Sequence, residues 1–482
     1  MKKTFLYFLI VLNAQFSFAQ IELPALVSSN MVLQRSTTVQ LWGWAASNEK
    51  FTIEASWQSD IISVIADKSG NWKTDIVTTD SKNSQKITFK SKGNPDLILD
   101  NILFGEVWIC SGQSNMGMPI KGNMGQPIFG STEAIANAAN PNLRLFHVER
   151  YGSKTPMTKL EKYRPWVEAS PASVADFSAA AYFFGEQLQR TLDVPVGLIS
   201  TSWGGSFVQA WISGEVLSPL ESFDLADADP VKNGNKVPTV LFNAMINPLI
   251  PFTIKGAIWY QGESNRQDPE KYKELFPAMV VDWRTRWNVG DFPFYFVQIA
   301  PFTYGNNNAF GDLDNSAFMR EAQVQCVDLI PNSGIVITTD IGDAVTIHPP
   351  KKKEVGQRLA FNALKQTYGL ASIDGASPRY EAMTVQEDGI HLTFKNAESG
   401  LYAFGDLEGF EMAGEDKVFY PAKANIINNA REVLVSADQV TKPVAVRYAW
   451  QNMVVGTLFD TSLLPASCFR TDDWNDATRA IE

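Results

Sequence analysis

The sequence predicts an α/β fold built on a parallel sheet, with a β-sandwich-type domain on each side of it along the chain. Three patterns support this prediction. Short strand-like segments separated by polar turns occupy residues 20–100, apolar segments alternate with helical stretches over residues 101–374, and strand-like segments return over residues 375–482. We therefore expect a central α/β domain flanked by N- and C-terminal β-sandwich-type domains.

Residues 1–19 have the layout of a secretory signal peptide. Lysines precede the apolar segment 5–12, and the small residues Ser17 and Ala19 end the region. We expect cleavage after Ala19 and export to the periplasm or the extracellular space. The apolar segment is too short for a spanning helix, and Gln20 rather than Cys follows the expected cut. We therefore expect no membrane insertion and no lipid anchor after cleavage.

The composition argues against several kinds of partner. The formal net charge is -11 and the isoelectric point is about 5.0, so no broad basic surface is available for nucleic acid. Cys110, Cys326 and Cys468 are widely spaced and odd in number, which is not the pattern of a disulfide framework or a zinc site. We expect no nucleic-acid partner and no metal, and the oligomeric state is left open.

The two flanking regions are predicted to consist of short strands. In the N-terminal region, branched and aromatic residues alternate with polar turns such as residues 67–71, without a helical period. The predicted strands there are Val39–Trp44, Phe51–Trp57, Ile61–Ala66 and Trp72–Val77. The predicted strands of the C-terminal region are Ile390–Phe394, Val433–Ser436 and Val444–Trp450.

The central region alternates apolar strands with helices, which indicates a parallel sheet covered on both faces. The predicted strands are Ile102–Cys110, Val196–Thr201, Lys255–Tyr260, Phe294–Ile299 and Gly334–Thr339. The predicted helices are Phe177–Leu192, Phe276–Trp287, Ala317–Leu329 and Lys351–Tyr368.

Small and polar residues follow four of these five strands. Because ligands bind beyond the carboxyl ends of the strands in an open α/β sheet, we expect these segments to meet at one edge. They are Ser111–Met116, Ser202–Ser206, Gln261–Asn265 and the segment Ile341–Asp343 that leads to His348.

Serines at this edge are candidate nucleophiles. A serine hydroxyl needs an adjacent base, usually an imidazole, and hydrogen-bond donors for the oxyanion that forms. Ser111, Ser114 and Ser264 all qualify by position, and Ser114 taken alone is also typical of a helix N-cap.

The chain has three histidines from which to choose a base. His391 alternates with apolar residues in a predicted strand, which indicates a solvent-facing side chain, and His147 fits a strand or its edge. His348 lies after the last predicted parallel strand and before a helix that is expected to open at Pro349 and Pro350. By elimination and by place, His348 is the predicted base.

Four segments carry a resemblance to a known family. In their order along the chain they resemble the sequence blocks of the sialate O-acetylesterase family of the SGNH hydrolases. The similarity spans about residues 101 to 370, and the flanking β regions are also similar to those of multidomain members. The four segments are Gly112–Met116, Ser202–Gly205, Trp259–Asn265 and Ile347–Pro349.

The resemblance implies a flavodoxin-like SGNH hydrolase domain and a serine esterase site. It implies Ser114 as nucleophile and His348 as general base and then acid, without a metal or an organic cofactor. The implied oxyanion donors are the backbone N–H of Ser114, the N–H of Gly205 narrowly preferred to that of Gly204, and the side-chain amide of Gln261 preferred to that of Asn265.

The group that orients His348 stays open. Many SGNH hydrolases have Asp three residues before the histidine, but Val345 stands there in this chain. Asp343 reaches the imidazole only if its loop folds back, Asp340 is another option, and a main-chain carbonyl would leave a Ser-His dyad.

Two further charged features have simple interpretations. Glu263 is predicted to be a buried hydrogen-bonding support, because glycoside hydrolysis needs two carboxyl groups and no second one stands out at the strand ends. The lysine run 351–353 predicts a solvated helix face, and its place next to His348 also suits attraction of a substrate carboxylate.

The function expected from the resemblance is hydrolysis of O-acetyl esters of sialic acids, such as the 9-O-acetyl ester. An O-acetylated sugar is therefore the expected partner. Esterase action on another glycan, such as acetylated xylan or pectin, is the nearest alternative. A non-catalytic carbohydrate-binding protein is an alternative of a different class.

Overall fold

The computed structural model describes residues 21–304 and 315–475, together with the backbone of one strand at 478–479. The predicted signal peptide, residues 1–19, lies outside the described part. Within the described residues, no helix is long and apolar enough to cross a bilayer.

The first strands are β1 (Val32–Gln34), β2 (Thr38–Trp44), β3 (Lys50–Ala55), β4 (Ile62–Ile65), β5 (Asn71–Val77), β6 (Gln85–Ser91) and β7 (Leu97–Gly112).

The N-terminal strands form two layers. β2 pairs with β5, and β4, β3, β6 and the first part of β7 form an antiparallel sheet. Trp72 of β5 contacts Phe51 of β3, with ring centroids 5.2 Å apart, so that the strand pair packs on the sheet. Alternate residues of β3 are buried, which is the pattern of a strand with one face in a core.

Strand β7 joins the N-terminal sheet to the central one. It is a single strand of 16 residues, and its second part pairs in parallel with strands of the central sheet. Asn101 has a positive φ of 55° inside it. The predicted domain boundary at residue 100 therefore falls within a continuous strand, and the segment that contains Ser114 follows directly at its end.

The central elements alternate as predicted. They are α1 (Ser114–Gly117), α2 (Ser131–Ala136), β8 (Asn140–Val148), β9 (Tyr163–Ala169), α3 (Pro171–Ala175), α4 (Ala179–Leu192), β10 (Val196–Ser202), α5 (Gly214–Leu217), β11 (Gly256–Tyr260), α6 (Pro269–Trp287), β12 (Phe294–Val297), α7 (Ser316–Leu329), β13 (Ser333–Val336) and α8 (Lys352–Gln366).

The central sheet is parallel except at one edge. Its strand order is β13-β12-β11-β7-β10-β8-β9, and only β9 runs antiparallel to its neighbour. If the six parallel strands are numbered 1 to 6 in chain order, their order across the sheet is 2-3-1-4-5-6. The flavodoxin order is 2-1-3-4-5. The winding still reverses at β7, so the crevice beyond β7 is the expected ligand site.

Helices cover both faces of this sheet. Trp108 and Cys110 of β7 belong to the core that includes α4 and α8, whereas Val107 and Ile109 belong to the core that includes α6 and α7. All four side chains are fully buried. The predicted parallel sheet between two helical layers is thus confirmed.

The C-terminal region is all β, as predicted. Arg320 of α7 attaches it to the central domain, because its guanidinium donates hydrogen bonds to the carbonyls of Ala449 (3.1 Å) and Gln451 (2.5 Å). The strands are β14 (Arg379–Gln386), β15 (Gly389–Lys395), β16 (Leu401–Tyr402), β17 (Phe410–Ala413), β18 (Val418–Pro421), β19 (Lys423–Ile427), β20 (Glu432–Ser436), β21 (Ala445–Tyr448), β22 (Phe459–Asp460), β23 (Phe469–Arg470) and β24 (Thr478–Arg479).

Candidate active site

The loops that follow β7, β10 and β11 meet at the carboxyl edge of the central sheet. The side-chain oxygen of Gln113 accepts hydrogen bonds from the backbone N–H groups of Gly262 (3.3 Å) and Ser264 (3.4 Å). The N–H of Trp203 donates to the carbonyl of Gly112 at 3.1 Å. Neighbouring parallel strands deliver these loops to one edge, which explains why segments far apart in the sequence lie together.

Ser114 and His348 are in direct contact at this edge. The Oγ atom of Ser114 lies 2.8 Å from Nε2 of His348, a hydrogen-bond distance between residues 234 positions apart. Both side chains are partly exposed, so a substrate can reach them. Ser111, by contrast, is fully buried. The geometry therefore favours Ser114 over Ser111 as a nucleophile activated by an imidazole.

The other nitrogen of His348 contacts Gln126, which the sequence reasoning missed. Its Nδ1 atom lies 3.1 Å from Oε1 of Gln126. Asn123 also donates to that oxygen, at 3.4 Å, which supports its assignment as the acceptor. Nδ1 therefore carries the proton, and Nε2 presents its lone pair to the hydroxyl of Ser114.

The structure does not bring Asp343 to the imidazole. Its Oδ1 accepts hydrogen bonds from the N–H groups of Val345 (2.7 Å) and Thr346 (2.9 Å), so the loop does not fold back as that prediction required. Asp340 forms a bidentate ion pair with Arg358, in which the two guanidinium nitrogens lie 2.8 and 2.7 Å from the two carboxylate oxygens. The group next to Nδ1 of His348 is therefore the neutral amide of Gln126, and not one of the two predicted carboxylates.

The surroundings of His348 keep its ring neutral. Burial lowers the pKa of His348 to about 4, and the positive charge of Lys352 acts in the same direction. A neutral imidazole is the form that can accept a proton from a hydroxyl.

Gly204 lies closer to Ser114 than the preferred candidate Gly205 does. A Cβ atom built on Gly204 would lie 3.3 Å from the Cβ of Ser114, whereas one on Gly205 would face the Nδ2 atom of Asn235 at 3.2 Å. Among residues 21–304 and 315–475, no backbone carbonyl accepts from the N–H of Ser114 or Gly204. These two N–H groups are thus available as oxyanion donors.

The amide of Gln261 is already used within the protein. Its Nε2 atom donates to the carbonyl of Ser206 at 3.0 Å and to Oδ1 of Asn265 at 2.7 Å, which accounts for both hydrogens. The Nδ2 atom of Asn265 donates to Gln209 at 3.0 Å, and it has a second hydrogen. The amide of Gln261, the preferred candidate, thus has both hydrogens occupied within the protein, whereas the amide of Asn265 has one hydrogen beyond its bond to Gln209.

Glu263 is buried and hydrogen-bonded, as expected for a support. It is 5% exposed, and its Oε1 accepts from Nδ2 of Asn115 at 2.5 Å. Burial raises the pKa of its carboxyl, and the hydrogen bond from Asn115 and the charge of Lys352 oppose that effect. The predicted solvated face at residues 351–353 is wrong for Lys352, which is fully buried.

The other two histidines lie elsewhere. His147 is in β8, where its partners in the sheet are Ser200 of β10 and Arg164 of β9. His391 does not face solvent as expected, since only 10% of its side chain is exposed and both ring nitrogens contact the carboxylates of Asp388 and Glu432. Neither belongs to the Ser114 site.

A sequence profile of a known family matches the central domain. The family is described as "Carbohydrate esterase, sialic acid-specific acetylesterase", and the match covers residues 105–365, which is more than half of the chain. The chain belongs to this family. The family predicted from the four sequence blocks is thereby confirmed, and with it the class of carboxylic-ester hydrolases.

Similar proteins support the same assignment. The sialate O-acetylesterase of Mus musculus is 28% identical over 439 residues, which cover 78% of this chain and 79% of the relative. The Homo sapiens enzyme of the same name is 26% identical over 469 residues, which cover 88% of this chain and 86% of the relative. A carbohydrate acetylesterase of Xanthomonas citri has a crystal structure with a TM-score of 0.85 and 33% identity, covering 94% of this chain and all of that one.

Proposed function

We propose that this carbohydrate esterase removes O-acetyl groups from sialic acids through an acyl-enzyme formed on Ser114. The observation that carries the proposal is the 2.8 Å contact between Ser114 Oγ and His348 Nε2. The contact joins a hydroxyl to a neutral imidazole at the ligand-binding edge of the sheet, which is the arrangement that activates a serine.

The reaction proceeds in two acyl transfers. Ser114 Oγ attacks the acetyl carbonyl while His348 Nε2 takes the hydroxyl proton, and the oxyanion is held by the N–H groups of Ser114 and Gly204. The tetrahedral intermediate collapses, and His348 returns the proton to the departing sugar oxygen. Water then attacks the acetyl-serine with His348 again as base, which releases acetate and restores the hydroxyl.

The names of the relatives support sialic acid as the substrate. The family description specifies sialic acid, and both mammalian relatives are named sialate O-acetylesterase. An acetylated sugar of another kind is the second candidate, because the Xanthomonas citri relative is described only as a carbohydrate acetylesterase and has the higher identity. The residues around Ser114 and His348 act on the ester group, which the two kinds of substrate share.

We also propose that the enzyme acts outside the cytoplasm. The support is the signal-peptide pattern of residues 1–19. Mass spectrometry of the protein recovered from its native host would show an N-terminus at Gln20, free or cyclised to pyroglutamate, if cleavage follows Ala19, and an N-terminus at Met1 would contradict the proposal.

Acetate release from matched substrates tests the function. Purified enzyme and its Ser114→Ala variant are compared on 9-O-acetylated sialic acid, acetylated xylan and acetylated pectin. We expect wild-type release to be fastest from the sialic acid, and to be lost in the variant. Faster release from xylan or pectin would favour the second candidate, and glycan binding without any turnover would favour a non-catalytic binding protein.

A further inference from the structure

A buried polar cluster lies directly behind the Ser114–His348 pair. Its members are Asn115, Glu263 and Lys352, which are 1%, 5% and 0% exposed. Lysine is almost never fully buried unless it is paired. The proposed acyl transfer does not use these three side chains, so their burial beside the reacting residues needs another explanation.

Asn115 connects the two charged members of the cluster. Nζ of Lys352 donates to Oδ1 of Asn115 at 2.8 Å, and Nδ2 of Asn115 donates to Oε1 of Glu263 at 2.5 Å. Asn115 directly follows Ser114 in α1, Glu263 follows β11, and Lys352 begins α8. The cluster thus ties together the three segments that build the site.

The same groups hold the backbone on both sides of His348. Nδ2 of Asn115 also donates to the carbonyl of Ile347 at 3.1 Å, and Nζ of Lys352 also donates to the carbonyl of Pro349 at 2.8 Å. Ile347 and Pro349 are the residues immediately before and after the histidine. The position of the imidazole relative to Ser114 is therefore set by hydrogen bonds to its two neighbours.

We propose that Lys352 is a positioning residue of the esterase site: through Asn115 and the carbonyl of Pro349 it fixes His348 against Ser114. Its cationic form also opposes protonation of the imidazole, an effect second to that of burial. This inference rests on the proposed serine mechanism. Among the described hydrogen bonds, Lys352 contacts neither the hydroxyl of Ser114 nor the imidazole of His348. It therefore acts on His348 through its hydrogen bonds to Asn115 and Pro349 and through the electrostatic effect of its charge.

Lys352 is cationic over the acidic range in which His348 titrates, because its pKa is higher than that of His348. Burial lowers the pKa of Lys352 to about 7, and Glu263 opposes that shift. The ring of Tyr260 lies 5.7 Å from Nζ and adds a second favourable contact for a cation. Lys352 on α8 is the charged group that acts on the His348 ring, and Glu263 on the loop after β11 acts in turn on Lys352. The ring itself contacts the neutral side chains of Gln126 and Ser114.

Two variants and one control test the proposal. Lys352→Met keeps the length of the side chain and removes its charge and both hydrogen bonds. Because removing Lys352 alone leaves the buried carboxyl of Glu263 without its nearby cation, the double variant Lys352→Met/Glu263→Gln covers the case in which the single variant does not fold. Lys353→Met is the matched control, since Lys353 is the next residue of α8 and is exposed.

The readouts are kcat and KM on an aryl acetate, and the titration of the His348 imidazole by NMR with labelled histidine. We expect both Lys352 variants to lower kcat at least about tenfold with KM nearly unchanged, because small misplacements of a reacting group reduce rates strongly. We expect the titration of His348 to move to higher pH, since a nearby cation has been removed. The control should match the wild type in both respects.

The NMR titration separates this inference from the proposed function, because it needs no turnover. A wild type that lacks esterase activity would contradict the proposed function, and the shift of the imidazole titration would still be measured. A double variant with the kcat and the titration of the Lys353→Met control would overturn the proposal. A lower kcat without a shift of the titration would also contradict it, since that result describes a merely structural lysine.

Discussion

Oε1 of Gln126 lies 3.1 Å from Nδ1 of His348, on the side of the ring opposite to Ser114. A triad of the Ser-His-Asp type has a carboxylate there, which fixes the tautomer and stabilises the imidazolium. The amide of Gln126 can fix the tautomer, but it supplies no negative charge to stabilise the imidazolium. The low pKa of His348, about 4, follows from burial and from Lys352 without any opposing anion.

Replacing Gln126 tests whether its amide holds the tautomer. Gln126→Leu removes the acceptor, so we expect kcat to fall by roughly a hundredfold because the imidazole loses its fixed orientation. Gln126→Glu adds a carboxylate, so we expect the pKa of His348 to rise and the acidic limb of kcat/KM to move to higher pH. Steady-state kinetics on an aryl acetate across pH measures both effects.

Asp343→Asn is the matched control for these variants. Asparagine keeps an oxygen that can accept from Val345 and Thr346, so the loop is preserved while the charge is lost. We expect kcat and the pH profile to remain close to those of the wild type. A large fall in kcat with Asp343→Asn, and none with Gln126→Leu, would show that Asp343 and not Gln126 orients the imidazole of His348.

The pH dependence of the free enzyme follows from the state of His348. The base is active only when neutral, and burial, aided by Lys352, lowers its pKa to about 4. Activity should therefore persist as pH falls through the range where an ordinary imidazole is protonated, and should be lost as pH approaches about 4. The measurement is kcat/KM from neutral to acidic pH, with a check that the fold survives. An acidic limb near the unperturbed value of about 6.5 would contradict this account.

The sequence patterns predicted those parts of the fold that local periodicity encodes. The predicted helix Ala317–Leu329 corresponds to α7, and the strand Val196–Thr201 to β10, because continuous apolar strands and amphipathic helices carry their own signal. The parallel strand β8 was not among the predicted strands of the sheet, although His147 was expected in a strand or at its edge. Arg144 and His147 interrupt its apolar side chains, and the burial of Arg144 depends on hydrogen bonds to Pro141 and Asn101 that the sequence does not reveal.

In the site, too, only the residues that a local sequence pattern marks could be predicted. Small residues after buried strands indicated Ser114 and His348, because strand ends meet at one edge. Gln126 lies in an irregular segment between glycines, and no local pattern marks it as a partner of a residue 222 positions away. Lys352 stands in a run of three lysines that is typical of a solvated surface, and only its contact with Asn115, 237 positions away, explains its burial.

The close approach of Gly204 to Ser114 leads to a prediction for the oxyanion hole. In Gly204→Ala the new methyl group would meet the Cβ of Ser114 at 3.3 Å, a tight contact that should shift the N–H groups proposed to hold the oxyanion. Complete loss of one such donor costs about 3 kcal/mol of transition-state stabilisation, so we expect its displacement to lower kcat by up to roughly a hundredfold with a smaller change in KM. Gly405→Ala is the control, because no atom lies within 4 Å of its added Cβ. Equal kcat values for the two variants would exclude Gly204 from the oxyanion hole.

The contact between Arg320 and the C-terminal region predicts a stability effect. Arg320 is fully buried, and Arg320→Met leaves the carbonyls of Ala449 and Gln451 without their donor. Unsatisfied buried polar groups cost about 1–3 kcal/mol each, so we expect a clear loss in the free energy of unfolding. Arg379→Met is the comparison, since Arg379 pairs with the exposed Asp328 and surface pairs contribute little. Chemical denaturation of both variants measures the difference, and equal midpoints would contradict this interpretation.

Covalent trapping identifies the nucleophile of the enzyme. The wild type and a His348→Ala variant are treated with a fluorophosphonate, and the labelled residue is located by mass spectrometry. We expect a single adduct on Ser114 that forms quickly in the wild type and much more slowly in the variant, because His348 is the proposed acceptor of the hydroxyl proton. An adduct on Ser264 or Ser111 instead, or equal labelling rates in the two proteins, would contradict the assignment of Ser114 and His348 as the reacting pair.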